Sequence, residues 1–441
     1  MENTNQYEEL IKVFLPPGDY EICSGADEDG CRIFTFDGDK DRLKRELYRS
    51  LQEYTGKSPK WGILTGIRPV KLTGELYDSC GDMEETDRIL AERYLVHPSK
   101  RSLVMDTLSY QRKTAGVPGR ESLSMYIGIP FCPTRCLYCS FTSNQVAKSE
   151  IDRYLEALHR EIGYCAQKVK EKGYCLESVY IGGGTPTTLD EEQLGELLDK
   201  VNSSFDMDGV KEFTVEAGRP DTFTDEKLAV MKNAGVGRIS INPQTMKDET
   251  LELIGRAHTA DETRKAFDMA YRVGMGCINA DLIAGLPQES FEDFKNSVHE
   301  ITELGAENIT LHTLAVKRAS RLKELDQEFN YRNQELCDRM LTYALGYLRD
   351  RGYRPYYLYR QKHTSGNTEN LGFCRNDSVS VYNIRIMEEA QSILALGAGG
   401  MSKVYFPDEN RLERVANVSN YQIYIDRIEE MIERKEKNFW R

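Results

Sequence analysis

Two periodicities of apolar residues divide the chain. From Tyr126 onward, short apolar runs alternate with longer stretches in which apolar residues recur every three to four positions. The short runs predict six strands: "MYIGIP", "SVYIGGG", "EFTVEAG", "RISINPQ", "CINADLIAG" and "NITLHTL". The longer stretches predict crossover helices, which parallel strands need, so the pattern predicts an α/β fold with a parallel sheet. Six such units fit a partial (β/α)6 barrel or a doubly wound sheet, and periodicity does not choose between them.

The segments on either side of this array break the alternation, which predicts three domains. Residues 1–115 hold strand-like runs ("DYEIC", "CRIFTF"), two helical patterns and the turn-rich "WGILTGIRPVKL", and we expect an N-terminal α+β domain. The stretch "KTAGVPGRESLS" is typical of a linker. Residues 116–320 are the predicted core. Residues 321–441 are a predicted C-terminal extension that lies as a lid over the sheet: a helix ("RNQELCDRMLTYALGYLRDRG"), a strand ("YRPYYLYRQK"), a polar loop ("HTSGNTENLGF"), a Gly-rich turn ("LGAGGMSKVYF") and a last helix ("SNYQIYIDRIEEMIERKEK").

Composition and net charge indicate a globular protein and argue against some classes of partner. The 441 residues are 40% hydrophobic and 29% charged, as in globular proteins, and the net charge of −13 argues against a nucleic-acid partner. No apolar run reaches the ~20 residues that span a bilayer, and the polar start "MENTNQYEEL" does not resemble a signal peptide. We therefore expect a cytoplasmic protein with reduced thiols.

Three of the eleven cysteines are clustered in "PFCPTRCLYCSF", directly after the first predicted strand. Cys132, Cys136 and Cys139 have the spacing C-x3-C-x2-C, one ligand short of a structural zinc site. Three thiolates suit an iron–sulfur cluster with one iron left open. A zinc site completed by a distant Cys or His stays as the alternative.

This spacing after the first strand resembles the signature of the radical S-adenosylmethionine (SAM) superfamily. "YIGIPFCPTRCLYCSF" is similar to the cluster motif Y-x-H-I-P-F-C-x3-C-x2-C of the oxygen-independent coproporphyrinogen III oxidase group. "GGGTPT" (182–187) and "NADLIAGLP" (279–287) agree with that group at the expected places, and "WGILTGIRP" points to its HemZ-type coproporphyrinogen dehydrogenase branch. The resemblance implies the partial (β/α)6 barrel.

The resemblance also implies the cofactors and their ligands. Cys132, Cys136 and Cys139 would hold a [4Fe–4S] cluster, SAM would bind the open iron, and one electron would yield a 5′-deoxyadenosyl radical. One or two SAM molecules are expected. The residues at family SAM-contact positions are Tyr126, Tyr138, Gly183, Gly184, Thr185, Glu216, Gln244, Arg256, Asp281, His312 and Met401. Five of them would serve a second SAM: Gly184, Thr185, Gln244, Arg256 and Asp281.

Residue chemistry agrees with several of these roles. Glycines in "GGGTPT" let backbone approach a ligand closely. Asp281 is a carboxylate in an otherwise apolar strand, where such a residue is rarely buried without a partner. Arg256 can pair with a carboxylate. No catalytic acid or base is assigned.

The family activity would be oxidative decarboxylation of coproporphyrinogen III to protoporphyrinogen IX in haem biosynthesis, with a low-potential donor such as flavodoxin or ferredoxin. The alternatives are a haem-binding chaperone of the same family, or another radical SAM reaction on a tetrapyrrole. The chaperone branch carries H-N-x-x-Y-W, whereas this chain has "NTENLGF". Two residues depart from the oxidase motif: Gly128 replaces its His, and Phe141 replaces a cysteine. Candidate cations for the substrate carboxylates are Arg68, Lys317, Arg318, Arg321, Arg354, Arg360, Lys362 and Arg375.

Overall fold

The computed structural model describes residues 5–16, 18–22, 39–66, 68–139, 143–315, 334–361 and 368–441. These residues form one sheet with the strand order β11-β10-β9-β1-β2-β3-β4-β5-β6-β8-β7. The strands are β1 Ser122–Ile129, β2 Cys175–Gly183, β3 Glu212–Gly218, β4 Arg238–Ile241, β5 Cys277–Ala284, β6 Asn308–Thr313, β7 Arg354–Arg360, β8 Glu369–Cys374, β9 Ser392–Leu396, β10 Met401–Phe406 and β11 Arg411–Ala416.

The centre of the sheet is parallel. Strand β9 and strands β1 to β6 run in the same direction, and β7, β8, β10 and β11 form antiparallel pairs at the two edges. All six predicted core strands are present, and the prediction of an α/β fold with a parallel sheet is confirmed. The sheet curves, since residues from the ends of β2 to β6 and from β7 and β8 line one cavity with the segment after β1.

Helices connect the strands and flank the core. Before β1 lie α1 (Asn5–Phe14), α2 (Lys40–Thr55), α3 (Pro69–Cys80), α4 (Met83–Glu92) and α5 (Pro98–Thr114). The crossovers hold α6 (Lys148–Glu171), α7 (Glu191–Ser204), α8 (Asp225–Asn233), α9 (Asp248–Leu253), α10 (Ala260–Val273) and α11 (Phe291–Glu303). The C-terminal region adds α12 (Gln334–Asp350), α13 (Val381–Glu388), α14 (Tyr421–Asp426) and α15 (Ile428–Asn438).

Local sequence explains where the crossover helices begin. Capping boxes start α7 at Asp190 and Gln193, and α10 at Thr259 and Glu262, because each side chain satisfies the other residue's backbone N–H. Helix α7 buries Leu194, Leu197, Leu198 and Val201, the spacing of one helical face. Burial of that face holds the helix on the sheet.

The terminal regions differ from the sequence predictions. In the described part of residues 1–115, all regular elements are helices. Residues 19–22 of the predicted strand "DYEIC" are irregular, and "CRIFTF" lies outside the described residues. The predicted polar loop includes strand β8, and the last predicted helix is two helices that meet at Arg427. The described part of the C-terminal region builds both edges of the sheet instead of a separate lid, because its strands pair with β1 and β6. The three domain boundaries stay a prediction.

A buried ion pair joins the last helix to the core. Lys435 of α15 lies 2.5 Å from Glu161 of α6, and both side chains are fully buried. The Glu161 carboxylate also accepts hydrogen bonds from Tyr424 (2.7 Å) and from the backbone N–H of Gly397 (2.8 Å). The pair therefore fixes the Gly-rich turn after β9. No helix of the described ranges is long and apolar enough to cross a membrane.

We predict that Lys435→Met lowers the free energy of unfolding by about 3–5 kcal/mol, since it leaves Glu161 buried and unpaired. Lys437→Met is the control, because Lys437 pairs with Glu433 on the exposed face of the same helix, and exposed pairs contribute at most about 1 kcal/mol. Urea unfolding measures both. Equal effects of the two substitutions would contradict the assignment.

Candidate functional site

A cavity of about 310 Å³ opens at the carboxyl ends of the parallel strands. Its walls come from the segments that follow β1 to β6, and from β7 and β8 at one edge. The described residues that line it are Cys132, Thr134, Cys136, Tyr138, Cys139, Ser143, Gly183, Gly184, Thr185, Glu216, Gly218, Arg219, Asn242, Gln244, Arg256, Asp281, Ile283, His312, Thr313, Leu314, Ala315, Tyr359, Gln361 and Asn370. Ligand sites of parallel α/β sheets form at this edge.

The cysteine loop follows β1, and two backbone hydrogen bonds hold it in place. The backbone N–H of Cys132 donates to the carbonyl of Asn144 (3.1 Å), and Leu137 N–H donates to the carbonyl of Ile254 (2.9 Å). Cys132 and Cys136 are buried and Cys139 is half-buried. Burial raises the pKa of the Cys132 thiol, and Thr185 donates a hydrogen bond to its sulfur over 3.5 Å. All three thiols therefore face one cavity.

The glycine-rich turn after β2 packs directly against this loop. Gly184 N–H donates to the carbonyl of Ile129 and Thr185 N–H to that of Phe131, both over 2.8 Å. A Cβ on Gly184 would lie 2.4 Å from the Phe131 carbonyl oxygen and 2.9 Å from the Cys132 sulfur. No side chain fits there. Glycine is therefore required for the close approach of the two loops.

Two carboxyl groups in the cavity differ in their protonation. Burial and the nearby Asp281 raise the pKa of Glu216 to about 8, against a hydrogen bond from the backbone N–H of Gly183. Burial also opposes ionisation of Asp281, but hydrogen bonds from His312, Asn279 and Thr310 outweigh it and lower the pKa of Asp281. The cavity thus holds one protonated and one ionised carboxyl group near neutral pH.

A chain of polar contacts joins β5, β6 and β7. Asp281 Oδ2 lies 3.5 Å from His312 Nε2, and His312 Nδ1 lies 3.3 Å from Tyr359 Oη. Gln361 Nε2 donates to the same Tyr359 oxygen over 3.3 Å. His312 is therefore held between a carboxylate and a phenol on the cavity wall.

Several buried polar atoms in the cavity have no hydrogen-bond partner among the described residues. Gln244 Oε1, Asn242 Oδ1 and Arg256 Nε are buried without a hydrogen bond, although Arg256 donates to the carbonyl of Asn242 (2.8 Å) and to Tyr138 Oη (3.2 Å). Gln244 has φ +71°, a left-handed conformation that is uncommon for a residue other than glycine. An unsatisfied buried donor or acceptor costs about 1–3 kcal/mol, so these atoms indicate a polar ligand.

The structure brings most of the predicted site residues together. All three cysteines line the cavity, as do nine of the eleven predicted SAM-contact residues. Tyr126 and Met401 do not line it. The Tyr126 ring is stacked on Tyr180 and Tyr382, and Met401 starts strand β10 with 43% of its surface exposed.

The predicted substrate-binding cations lie elsewhere. Arg68 pairs with Glu389 at 3.1 Å, Arg360 donates to the carbonyl of Leu64 at 2.6 Å, Arg375 donates to Gly305, and Arg354 lines a separate cavity beside α5. Lys317, Arg318, Arg321 and Lys362 lie outside the described residues. None of the four described cations lines the cysteine cavity.

Sequence reasoning missed Asn242, Arg219, Gln361 and Asn370 on the cavity wall. Asn370 stands in "NTENLGF", and no local pattern predicts its position, which depends on the pairing of β8 with β6. Of the two departures from the oxidase motif, Phe141 lies outside the described residues. A Cβ on Gly128 would lie 3.2 Å from the Ala398 carbonyl oxygen, so the turn after β9 occupies the space of a larger residue.

Comparison with known proteins agrees with this geometry. Residues 126–301 match the family model of the radical SAM superfamily. The chain is 40% identical over 394 residues to the oxygen-independent coproporphyrinogen-III oxidase-like protein HemZ of Bacillus subtilis, which covers 88% of this chain and 78% of the relative. It is 38% identical over 195 residues to the haem chaperone HemW of the same organism, or 44% of this chain and 51% of the relative.

Among solved structures, coproporphyrinogen III oxidase (HemN) from Escherichia coli, a radical SAM enzyme, shares the fold. It has a TM-score of 0.57 and 21% identity, and the match covers 74% of this chain and 72% of that chain. The chain therefore belongs to the radical SAM superfamily and, within it, to the oxygen-independent coproporphyrinogen-III oxidase-like group of HemZ, HemW and HemN. This membership implies a [4Fe–4S] cluster and SAM.

The residues present fit those cofactors. Three cysteines line the cavity, a turn without side chains lies beside Cys132, and buried donors and acceptors without a hydrogen-bond partner among the described residues line the same cavity. In the part of the chain that the structure describes, no three His, Cys, Asp or Glu side chains are grouped as ligands of a single metal ion. Cluster ligands each bind their own iron and do not need that grouping.

We predict that Gly184→Ala removes most of the iron bound after anaerobic reconstitution, since the added methyl group collides with Phe131 and Cys132. Gly195→Ala in α7 is the control, because its Cβ would lie 3.7 Å from Val230, an ordinary contact. Iron and sulfide analysis per chain, with the visible absorption of the cluster, measures the effect. Full cluster content in Gly184→Ala would show that the loops do not need this contact.

We also predict a pH dependence from Glu216. Its pKa rises from 4.5 to about 8 on folding, so its contribution to stability is present below about pH 4.5 and is lost as the pH rises through 8. Glu216→Gln should therefore gain stability relative to the parent as the pH increases over that window. Urea unfolding at several pH values tests this, with the exposed Glu226→Gln as control. A difference between Glu216→Gln and the parent that does not change with pH would refute the protonation assignment.

Proposed function

We propose that this protein catalyses the oxygen-independent oxidative decarboxylation of coproporphyrinogen III to protoporphyrinogen IX. The observation that carries the proposal is the combination of a three-thiol cavity with 40% identity to the HemZ relative across 88% of the chain. The similarity to HemZ includes the N-terminal region, whereas the similarity to HemW covers 44% of the chain.

Cys132, Cys136 and Cys139 are the proposed ligands of the cluster. When bound, the cluster and SAM supply a carbon-centred radical that removes a hydrogen atom from the substrate. The backbone of the turn at Gly183 and Gly184 is the proposed contact of the amino-acid end of SAM, because this turn packs beside the Cys132 sulfur.

The buried polar atoms that have no hydrogen-bond partner among the described residues are the proposed contacts of a second SAM or of the substrate. Arg256 Nε is a donor that suits a carboxylate, and Gln244 Oε1 is an acceptor that suits an ammonium or hydroxyl group. Ionised Asp281 attracts a cationic group, and protonated Glu216 does not repel a neighbouring carboxylate. A low-potential protein such as flavodoxin or ferredoxin is the proposed electron donor.

The haem chaperone is the second candidate function, supported by the similarity to HemW. The position of the chaperone motif argues against it. Glu369 stands where that motif has histidine, and its carboxylate accepts hydrogen bonds from Trp61 Nε1 (2.9 Å) and Lys100. Glu369 is 1% exposed and does not line the cavity, so it is not placed to bind a haem iron there.

An anaerobic assay with reconstituted cluster, dithionite, SAM and coproporphyrinogen III tests the proposal. We expect the formation of 5′-deoxyadenosine and the loss of carbon dioxide from the substrate in two steps. Chromatography and mass spectrometry measure both reactions. Cys132→Ser should form neither product, because one cluster ligand is lost.

Each other result has a defined meaning. Formation of 5′-deoxyadenosine without decarboxylation would reject the substrate and keep the radical chemistry. Stoichiometric haem binding without any decarboxylated product would favour the chaperone. Absence of 5′-deoxyadenosine under every reductant would reject the radical function itself.

A further inference from the structure

We propose that Asn370 is a substrate-binding residue whose side-chain amide donates to a carboxylate oxygen of the substrate, and that the N-terminal helical region positions it. This inference rests on the proposed function and names one contact that recognises its substrate. It concerns the part of the cavity wall that β7 and β8 make.

In the side-chain amide of Asn370, the oxygen is hydrogen-bonded and the nitrogen has no partner among the described residues. Its Oδ1 accepts a hydrogen bond from the backbone N–H of Thr313 over 2.8 Å, which fixes the orientation of the amide. Its Nδ2 has no hydrogen-bond partner among the described residues, although the residue is 0% exposed and lines the cavity. A fully buried amide with two unused N–H donors indicates an acceptor oxygen from a ligand.

The pleat of the two strands gives this wall two faces. Tyr359 pairs with Asn370 and Arg360 pairs with Glu369 in the register of β7 and β8. Successive side chains of a strand point to opposite faces, so Tyr359 and Asn370 face the cavity while Arg360 and Glu369 face away from it. The residue next to the ligand contact therefore points to the N-terminal region.

The N-terminal region holds the outer face. Trp61 Nε1 donates to Glu369 Oε2 over 2.9 Å, and Lys100 of α5 donates to Glu369 Oε1. Arg360 donates to the carbonyl of Leu64 over 2.6 Å and lies over the Trp61 ring at 5.0 Å. These contacts fix the backbone at Glu369, and so they also fix the adjacent Asn370.

The location favours the substrate over SAM as the source of the carboxylate. A group that chelates an iron at the cysteine loop lies close to the turn after β2, because β2 is a neighbour of β1 in the sheet. Asn370 lies on β8, next to β6 and six strands away from β1 in that order. Both SAM and a tetrapyrrole carry carboxylates, and separate titrations distinguish them.

The test measures binding of coproporphyrin III, a stable fluorescent tetracarboxylate, to the cluster-free protein. We expect Asn370→Asp to weaken binding by about tenfold or more, because a carboxylate then faces the ligand carboxylate. Asn233→Asp adds the same charge at the exposed end of α8 and should leave the Kd unchanged. Thermal unfolding establishes that each variant is folded, and Asn370→Ala, which adds no charge, repeats the test with an expected loss of about threefold.

The two tryptophans of the chain provide the positioning test. Trp61→Phe removes the hydrogen bond to Glu369, so it should weaken coproporphyrin binding and shift the side-chain amide resonances of Asn370 in an Asn-labelled NMR spectrum. Trp440→Phe changes a buried ring that packs on Phe439, so it should change neither the binding of coproporphyrin nor the resonances of Asn370. The resonances of Asn370 are identified by their loss in Asn370→Asp.

The outcomes separate this inference from the proposed function. If the parent binds coproporphyrin and Asn370→Asp binds it equally well, the inference is overturned and the tetrapyrrole substrate stands. If the parent does not bind it, the inference is overturned, and the decarboxylation assay alone decides the proposed function. If Asn370→Asp weakens SAM binding to the reconstituted protein and leaves coproporphyrin binding unchanged, the contact belongs to SAM and the substrate assignment is wrong.

Discussion

The close contact between two loops determines the rest of the site. The backbone of Gly184 and Thr185 hydrogen-bonds to the carbonyls of Ile129 and Phe131, and this approach leaves no room for a side chain at Gly184. Two adjacent parallel strands end at this point, so their backbone groups must find partners beyond the sheet. The contact satisfies them and places the Cys132 sulfur beside the open turn.

The regions outside the parallel core complete the cavity from its edges. Strands β7 and β8 continue the sheet past β6 and contribute Tyr359 and Asn370 to the wall. At the opposite edge, β9 pairs with β1, and the buried pair of Glu161 and Lys435 holds the turn that follows β9. A buried charge is tolerated there because it is paired and fully hydrogen-bonded. The N-terminal region contacts the outer face of β8, where Trp61 and Lys100 donate hydrogen bonds to Glu369.

The protonation state of each carboxyl group in the cavity depends on its hydrogen-bond partners and on its charged neighbours. Asp281 is ionised because His312, Asn279 and Thr310 donate to it. Glu216 has a hydrogen bond from the Gly183 N–H, but its neighbour is the Asp281 carboxylate, so its proton is retained to about pH 8. One ionised and one neutral carboxyl group make a site that accepts a zwitterionic ligand with less repulsion than two ionised groups would.

The sequence by itself determined the class of protein and predicted the cofactor ligands. The alternation of apolar runs predicted the six core strands, because strand and helix periods are local properties of the chain. The spacing of Cys132, Cys136 and Cys139 was readable for the same reason, since a single loop carries all three. Only the tertiary structure decided which other residues face them. Asn370 and Tyr359 reach the cavity through pairing between strands that are distant in sequence. Arg360, one residue away from Tyr359, is turned to the other face by the pleat, and no local pattern records that choice because it depends on which strand lies alongside.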